Sequence, residues 1–283
     1  MNTAPVSPGV RYMLLATGFF ALMNVGVKCL PRIPAHEIVL FRAAVTLVAG
    51  YILVRRAGLS PWGNHKPLLL LRGLAGTAAL MMYFYTLQRM PLASAVTIQY
   101  LSPIFTVILA GLLLREPPRA VQWLFFLISF GGVLLIKGFD TRVAPTDLVI
   151  GISAAVCSGL AYNFIRKLKD HDHPLVVVFY FPLVTVPLIG SYSIFHWVPP
   201  QGWEWAILIG VGLATTAAQV YMTKSYQLER AANVSNLNYL GVVYALAIGY
   251  VFFDELMTLP ALGGIVLIVL GVMLGARFGR SSG

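Results

Sequence analysis

Hydrophobic positions fill this chain in long runs, and polar positions break the runs as short clusters. Met90–Leu114, Pro174–Phe195, Ala231–Phe253 and Leu256–Ala276 contain no Lys, Arg, Asp or Glu. An α-helix rises 1.5 Å per residue, so about 20 apolar residues cross the roughly 30 Å of hydrocarbon in a bilayer. Ala120–Ile136, Leu148–Ile165 and Trp205–Thr223 are slightly shorter runs of the same kind. The windows between punctuation predict ten helices: Tyr12–Leu30, Ala35–Val54, Leu68–Leu87, Leu92–Leu114, Ala120–Ile136, Leu148–Arg166, Pro174–Phe195, Trp205–Tyr226, Ala231–Phe253 and Leu259–Ala276. Their connections are short and rich in proline or charge, as in Pro31–Pro34, Glu116–Pro118 and Val198–Gly202.

Composition turns this pattern into a membrane assignment. The 283 residues are 58% hydrophobic and 11% charged, with a mean hydropathy of +0.80, whereas soluble domains carry about 25% charged residues. The formal charge of +10 raises nucleic acid as a partner. Its basic residues, however, are scattered between apolar spans rather than gathered on one face, which fits loops against an anionic leaflet instead. If the N-terminus is cytoplasmic, fourteen of the twenty Lys and Arg residues fall at inner ends and six at outer ends. The positive-inside rule then puts both termini in the cytoplasm, in the inner membrane of a bacterium. Cys29 and Cys157 both lie in apolar segments, so neither a disulfide framework nor a metal site is expected. No cleavable signal peptide is expected, and no cofactor: a GxxxxGK[ST] loop is missing.

The chain repeats itself. "GLAGTAA" at Gly73–Ala79 returns as "GLATTAA" at Gly212–Ala218, a shift of 139 residues. The same shift places Asn24 on Asn163, Lys28 on Lys167, Thr46 on Thr185, Gln88 on Gln227, Tyr100 on Tyr239 and Glu116 on Glu255. Polar coincidences at one register, where polar residues are scarce, indicate a duplicated five-helix unit, over residues 11–138 and 147–277. Five is odd, so the second unit enters the membrane from the opposite side. The predicted fold is an all-α integral membrane protein of ten transmembrane helices, built as two inverted five-helix repeats around a central cavity. Inverted repeats are characteristic of secondary transporters, in which a midplane site is exposed to each side in turn. The two small-residue phrases let helices approach closely. A direct substrate contact through Thr77 or Thr216 is the lesser alternative.

Two stretches, "RMPLASAVTIQYLSPIFTVILAGLLLREPP" with "FGGVLLIKG" and "LERAANVSNLNYLGVVYALAIGYVFFDELM" with "LGVMLG", resemble the EamA-type members of the drug/metabolite transporter superfamily. "FALMNVGVKCLP" and "EIVLFRAAVTL" resemble that family's opening helices. The likeness covers essentially the whole chain and is specific for the family, not for a substrate. It implies a cavity lined mainly by helices 1, 3, 4, 6, 8 and 9, with helices 5 and 10 outside it. Gly264, Gly271 and Gly275 in helix 10 form a stripe suited to packing or to a homodimer through helices 5 and 10. One departure stands out: Pro103 of the first copy is Val242 in the second, so a proline kink belongs to one half only.

Polar groups in hydrocarbon are costly and should face protein or water. The candidate substrate-binding residues are Asn24, Lys28, Arg42, Tyr83, Gln99, Tyr100, Tyr162, Asn163, Gln219, Asn238 and Tyr239. Asn24 and Lys28 share a face of helix 1, as Asn163 and Lys167 do in helix 6. The asparagines either line the cavity or lock the bundle through interhelical hydrogen bonds, and the lysines either join them or snorkel. Arg42 lies in the body of helix 2 and is expected to face a cavity or a structural acid. Arg72 reads as an anchor at the cytoplasmic end of helix 3, and Glu37 as a partner for Lys28 or Arg32. Glu116 and Glu255 read as helix caps, with proton coupling the alternative. His65, His171, His173 and His196 read as loop or interface residues, "HDHP" (171–174) included. The expected function is a secondary transporter for a small polar metabolite, an amino acid or a compound derived from one. The competing classes are a membrane enzyme, for which no paired carboxylates or activated nucleophile stand at a helix end, and a channel, for which no charged ring is visible.

Overall fold

The computed structural model describes residues 7–89, 98, 99, 101–115, 120–137, 144–253, 263, 264, 266, 267, 270, 271 and 274. The described residues hold helices and no strand. The helices are α1 (Pro8–Lys28), α2 (Ala35–Arg56), α3 (Lys66–Arg89), α4 (Ser102–Leu113), α5 (Ala120–Lys137), α6 (Pro145–Lys167), α7 (Pro174–Ser193), α8 (Glu204–Leu228) and α9 (Leu240–Phe253). The described residues of the predicted tenth span, from 263 to 274, are helical too. Among the described residues six helices, α1 to α3 and α6 to α8, are long and apolar enough to cross a membrane. Large apolar side chains such as Leu22, Val48, Leu112, Leu127 and Val149 stay exposed on their outer faces, as a lipid solvent requires. Trp62 lies exposed in the loop between α2 and α3, and Trp203 and Trp205 at the start of α8, the usual depth of an interfacial aromatic belt.

Start signals explain where the helices exceed their apolar runs. Pro8 and Pro145 open α1 and α6, with their fixed φ suited to the first turn, and Ser7 accepts a hydrogen bond from the Val10 amide at 3.4 Å. Helix 1 therefore begins at Pro8 rather than Tyr12. The larger departure concerns the ninth predicted span. Ala231–Phe253 is not one helix: 231–234 is a short α turn, 235–239 is 3₁₀, and α9 follows from Leu240. The fourth span breaks at the matching place. Ile98 and Gln99 are helical, Leu101 is a turn whose amide donates to Ile98 O at 3.0 Å, and α4 starts at Ser102. A kink confined to the proline-bearing half is thus corrected, because the second half breaks without a proline.

Packing between the halves is reciprocal. α1 lies on α8 and α3 on α6; α2 lies on α8 and α3 on α7; α2 and α7 lie on each other. Exchanging each helix for its counterpart five places along turns the first member of each pair of contacts into the second. The repeated phrases sit at these crossings. A Cβ on Gly73 would meet Val184 Cγ2 at 2.7 Å, and one on Gly212 would run into Val45; Val45 and Val184 are themselves 139 residues apart. The Thr77 and Thr185 hydroxyls lie 2.8 Å apart, and those of Thr46 and Thr216 lie 3.0 Å apart, all four buried. Thr77 and Thr216 therefore join helices rather than face the cavity. Thr77→Val and Thr216→Val should each lower stability by about 0.5–1.5 kcal/mol and by similar amounts, read as melting of the purified protein in detergent.

α5 stands apart from the cavity, as expected. Gly271 of the tenth span abuts Ser129 and the Phe125 carbonyl of α5 in the same chain, so that position of the glycine stripe is already occupied by an internal contact.

Candidate functional site

The helices enclose a cavity of about 170 Å³ at the junction of the two halves. Thr17, Met23 and Asn24 reach it from α1, Arg42 from α2, Arg72 and Tyr83 from α3, Ser158 and Tyr162 from α6, Phe181 from α7 and Gln219 from α8. Gln99 and Asn238 enter from the broken segments before α4 and α9, and Ser102 and Gly241 from the first turns of those helices. α2 and α7 thus join the lining expected from helices 1, 3, 4, 6, 8 and 9. Gln99 and Asn238 are counterparts under the 139-residue shift, and the helix breaks bring both amides to the same cavity. Discontinuous helices serve this purpose at many transport sites, since a local break re-aims side chains and frees backbone groups.

Seven of the eleven predicted residues line the cavity: Asn24, Arg42, Tyr83, Gln99, Tyr162, Gln219 and Asn238. Tyr100 lies outside the described residues, as do Glu116 and Glu255. Lys28 is the last residue of α1, half-buried at its carboxyl end, and does not reach the cavity. Tyr239 is fully buried in the apolar core with Tyr226, Ile165 and Met222. Asn163 is 1% exposed, and its amide donates to Thr106 O at 2.9 Å and Gly159 O at 2.8 Å. Gly159 lets α6 approach the α4 backbone at that level, a Cβ there meeting Phe105 C at 3.0 Å. For Asn163 the interhelical lock is the correct reading, although its counterpart Asn24 faces the cavity.

Arg72 corrects the sequence reading most. It is not an anchor at a membrane surface but a fully buried side chain, 2% exposed. Its Nη2 donates to Gln219 Oε1 at 3.0 Å and its guanidinium lies 4.3 Å from the Phe181 ring centroid. Nε and Nη1 are buried without a hydrogen-bond partner. Arg42, 3% exposed, directs Nη1 to the Met23 sulfur at 3.5 Å and lies 5.9 Å from the Phe84 ring. Among the described residues no carboxylate pairs with either arginine; the ion pairs are Arg32–Glu204, Arg89–Asp147 and Lys169–Asp170. The expected alternative for Arg42, a structural acid, finds no support there. The sequence did hold a sign of Arg72's role. Gly76 is the one position at which the two small-residue phrases differ, and a Cβ there would lie 2.5 Å from Arg72 Nη1 and 2.9 Å from Phe181 Cε2. The second copy has Thr215 at this place and no arginine one turn earlier.

The remaining polar lining is neutral. Gln99 Nε2 donates to Ser158 Oγ at 2.9 Å and leaves its Oε1 buried without a partner. Asn238 Nδ2 donates to the Tyr226 hydroxyl at 3.3 Å, and Tyr226 stacks on Tyr162 with ring centroids 5.0 Å apart.

Two fastenings flank this interface. At one end Arg32 donates Nε to Glu204 Oε1 at 3.1 Å and Nη2 to Pro199 O at 2.9 Å, while Glu204 accepts from the Gln201 amide. Hydrogen bonding to Glu204 raises the Arg32 guanidinium above its ordinary pKa, so this fastening stays charged. Glu37 accepts from the Val198 amide and lies near enough to Arg32 for a Coulombic attraction, without a direct ion pair to it among the described residues. At the other end Asp172 accepts from the amides of Asn64 at 2.6 Å and His65 at 3.0 Å, and the His65 and His171 rings lie 5.0 Å apart. His65 and His171 are the counterparts of Glu204 and Arg32. Gly63 and Gly202, also counterparts, turn the two loops with φ of +63° and +49°, where a side chain would be strained. His173 caps α7, accepting from the Leu175 amide at 3.3 Å.

The EamA-like transporter family matches the sequence twice, over residues 7–138 and 146–276. The pseudopaline exporter of Pseudomonas aeruginosa is 34% identical over 275 residues, which is 95% of this chain and 96% of that one. Human solute carrier family 35 member G1 is 30% identical over 285 residues, 92% of this chain and 76% of its own. A crystal structure superposes on 98% of this chain and 100% of its own with a TM-score of 0.83 at 18% identity, a likeness of fold.

Proposed function

The chain belongs to the EamA-like transporter family of multi-pass membrane proteins, and from that premise we propose a secondary carrier that moves a carboxylate-bearing amino acid, or a compound derived from one, across the bacterial inner membrane by alternating access. The observation that carries this reading is the pair of buried arginines in the cavity, neither matched by an acid among the described residues. An ionised side chain in a membrane interior marks a substrate or ion path, because burial without a partner is too costly to persist for packing alone. Arg72 leaves Nε and Nη1 buried without a hydrogen-bond partner, so its guanidinium keeps N–H donors that a carboxylate can accept. Gln99, Asn238 and Ser158 supply neutral donors and acceptors for the rest of the molecule, and Tyr83 and Tyr162 supply ring faces.

The inverted arrangement of the halves is supported by their reciprocal helix contacts, by the paired threonine and glycine–valine contacts, and by the odd number of spans predicted in each unit. In the proposed cycle one fastening opens while the other holds, so that the cavity meets one side at a time. The tally of basic residues supports cytoplasmic termini, which puts the His65 end inside and the Arg32 end outside. The likeness to an exporter supports efflux as the direction.

Counterflow in proteoliposomes tests the reading. Vesicles loaded with an unlabelled acidic or neutral amino acid should accumulate the labelled compound transiently, and uptake should saturate. Current that rises linearly with concentration and shows no counterflow would replace the carrier with a channel.

A further inference from the structure

The charge balance of the cavity goes further than a single carboxylate. Arg42 and Arg72 come from different helices and occupy different surroundings, one against Met23 and Phe84, the other against Phe181 and Gln219. Both cations belong to the first half. Their counterparts 139 residues on are Phe181 and Val211, so nothing in the second half repeats them. The described acids are all engaged elsewhere or lie outside the cavity: Glu37 and Glu204 at one fastening, Asp172 at the other, Asp147 and Asp170 in ion pairs, and Glu229 against Gly9. Among the described residues, the lining of the cavity therefore carries two buried positive charges and no negative one.

A zwitterion with one carboxylate adds no net charge and leaves this excess in place. We infer that the substrate of this cavity carries two carboxylates, one for Arg42 and one for Arg72, with its uncharged or amino portion turned toward the amides of the second half. The inference rests on the carrier reading above and names its substrate class. A dicarboxylate without an amine neutralises the two arginines when it binds, and an amino dicarboxylate removes one of the two charges, so the loaded carrier rocks with less excess charge in the cavity than the unloaded one. Two separate guanidinium settings favour two anionic groups on one scaffold over a single dianionic group such as a phosphate monoester.

The test uses the full chain in detergent and in proteoliposomes, with aspartate, succinate, alanine and glycerol 3-phosphate as probes. Aspartate and succinate should raise the melting temperature and bind at least tenfold more tightly than alanine. Arg42→Met and Arg72→Met should each erase that preference while leaving the empty protein as stable as wild type or more so, since an apolar side chain replaces an uncompensated buried charge. Arg42→Lys and Arg72→Lys keep the charge, so they should retain part of the preference and act as folding controls. Equal binding of alanine and aspartate by the wild type overturns the inference, and so does binding of glycerol 3-phosphate without aspartate or succinate. A methionine variant that keeps the dicarboxylate preference overturns it as well. Saturable counterflow of alanine alone would sink the dicarboxylate and leave the carrier standing, whereas counterflow of no metabolite at all removes the carrier reading itself.

Discussion

Arg72→Ala should abolish counterflow while the protein still reaches the membrane and elutes as one species. The expectation follows from the geometry of the buried guanidinium. Gln219 and the Phe181 face hold it in place, and two of its nitrogens, Nε and Nη1, find no hydrogen-bond partner among the described residues. Truncating one partner of a buried charged contact costs about 2–5 kcal/mol, roughly 30-fold to several thousand-fold in affinity. The same truncation at a structural ion pair would unfold or weaken the bundle instead, because it would strand the opposite charge. Here no opposite charge exists among the described residues, so the melting temperature of the empty protein should hold or rise. Loss of transport together with a melting temperature several degrees lower would assign Arg72 to architecture rather than to the substrate.

The second large effect is expected at Gly76, a residue with no side chain to contribute. Gly76→Ala places a methyl group 2.5 Å from Arg72 Nη1 and 2.9 Å from the Phe181 ring, and the flexible partner, the arginine, must move. Misaiming a guanidinium that makes charge-assisted bonds of about 1.5–3 kcal/mol each should weaken substrate binding by about tenfold or more. The double variant decides whether the effect passes through Arg72. With Arg72→Ala already present the methyl group meets only the Phe181 ring, which must shift slightly from 2.9 Å, so Gly76→Ala should do little further harm to what binding remains. Its helix propensity, about 1 kcal/mol better than glycine, should then raise the melting temperature. Additive losses in the two single variants would show that Gly76 acts on the site by another route.

Much of the fold was readable from the chain because a membrane helix has to be apolar over its whole length, and because the duplication preserved polar landmarks in register. The unreadable parts share one physical cause: a linear pattern reports burial in lipid and burial in protein alike. Arg72, a turn and a half into its helix, has the spacing of a snorkelling anchor, and only the helices around α3 enclose it instead. Asn24 and Asn163 are identical in type and equivalent in register. They part company because the Thr106 carbonyl lies within reach of Asn163, a contact between segments 57 residues apart that no local pattern announces. The break at 235–239 escaped notice since its residues are not helix breakers of the proline kind. Asn236 and Asn238 favour it weakly, and the tertiary setting completes it. Arg42, Gln99 and Asn238 were legible because a charge or amide deep within an apolar run has few places to go.

The fastenings at the two ends are equivalent by position and unlike in kind: a guanidinium–carboxylate pair at one, two adjoining imidazoles tilted against each other with a carboxylate holding backbone amides at the other. Unequal latches cannot concentrate a solute, because a passive cycle must return to its starting free energy whichever latch is the tighter. In the proposed alternating-access cycle they decide where the unloaded molecule waits. Whichever latch releases more readily sets the resting orientation, and with it the face from which the next cargo is collected.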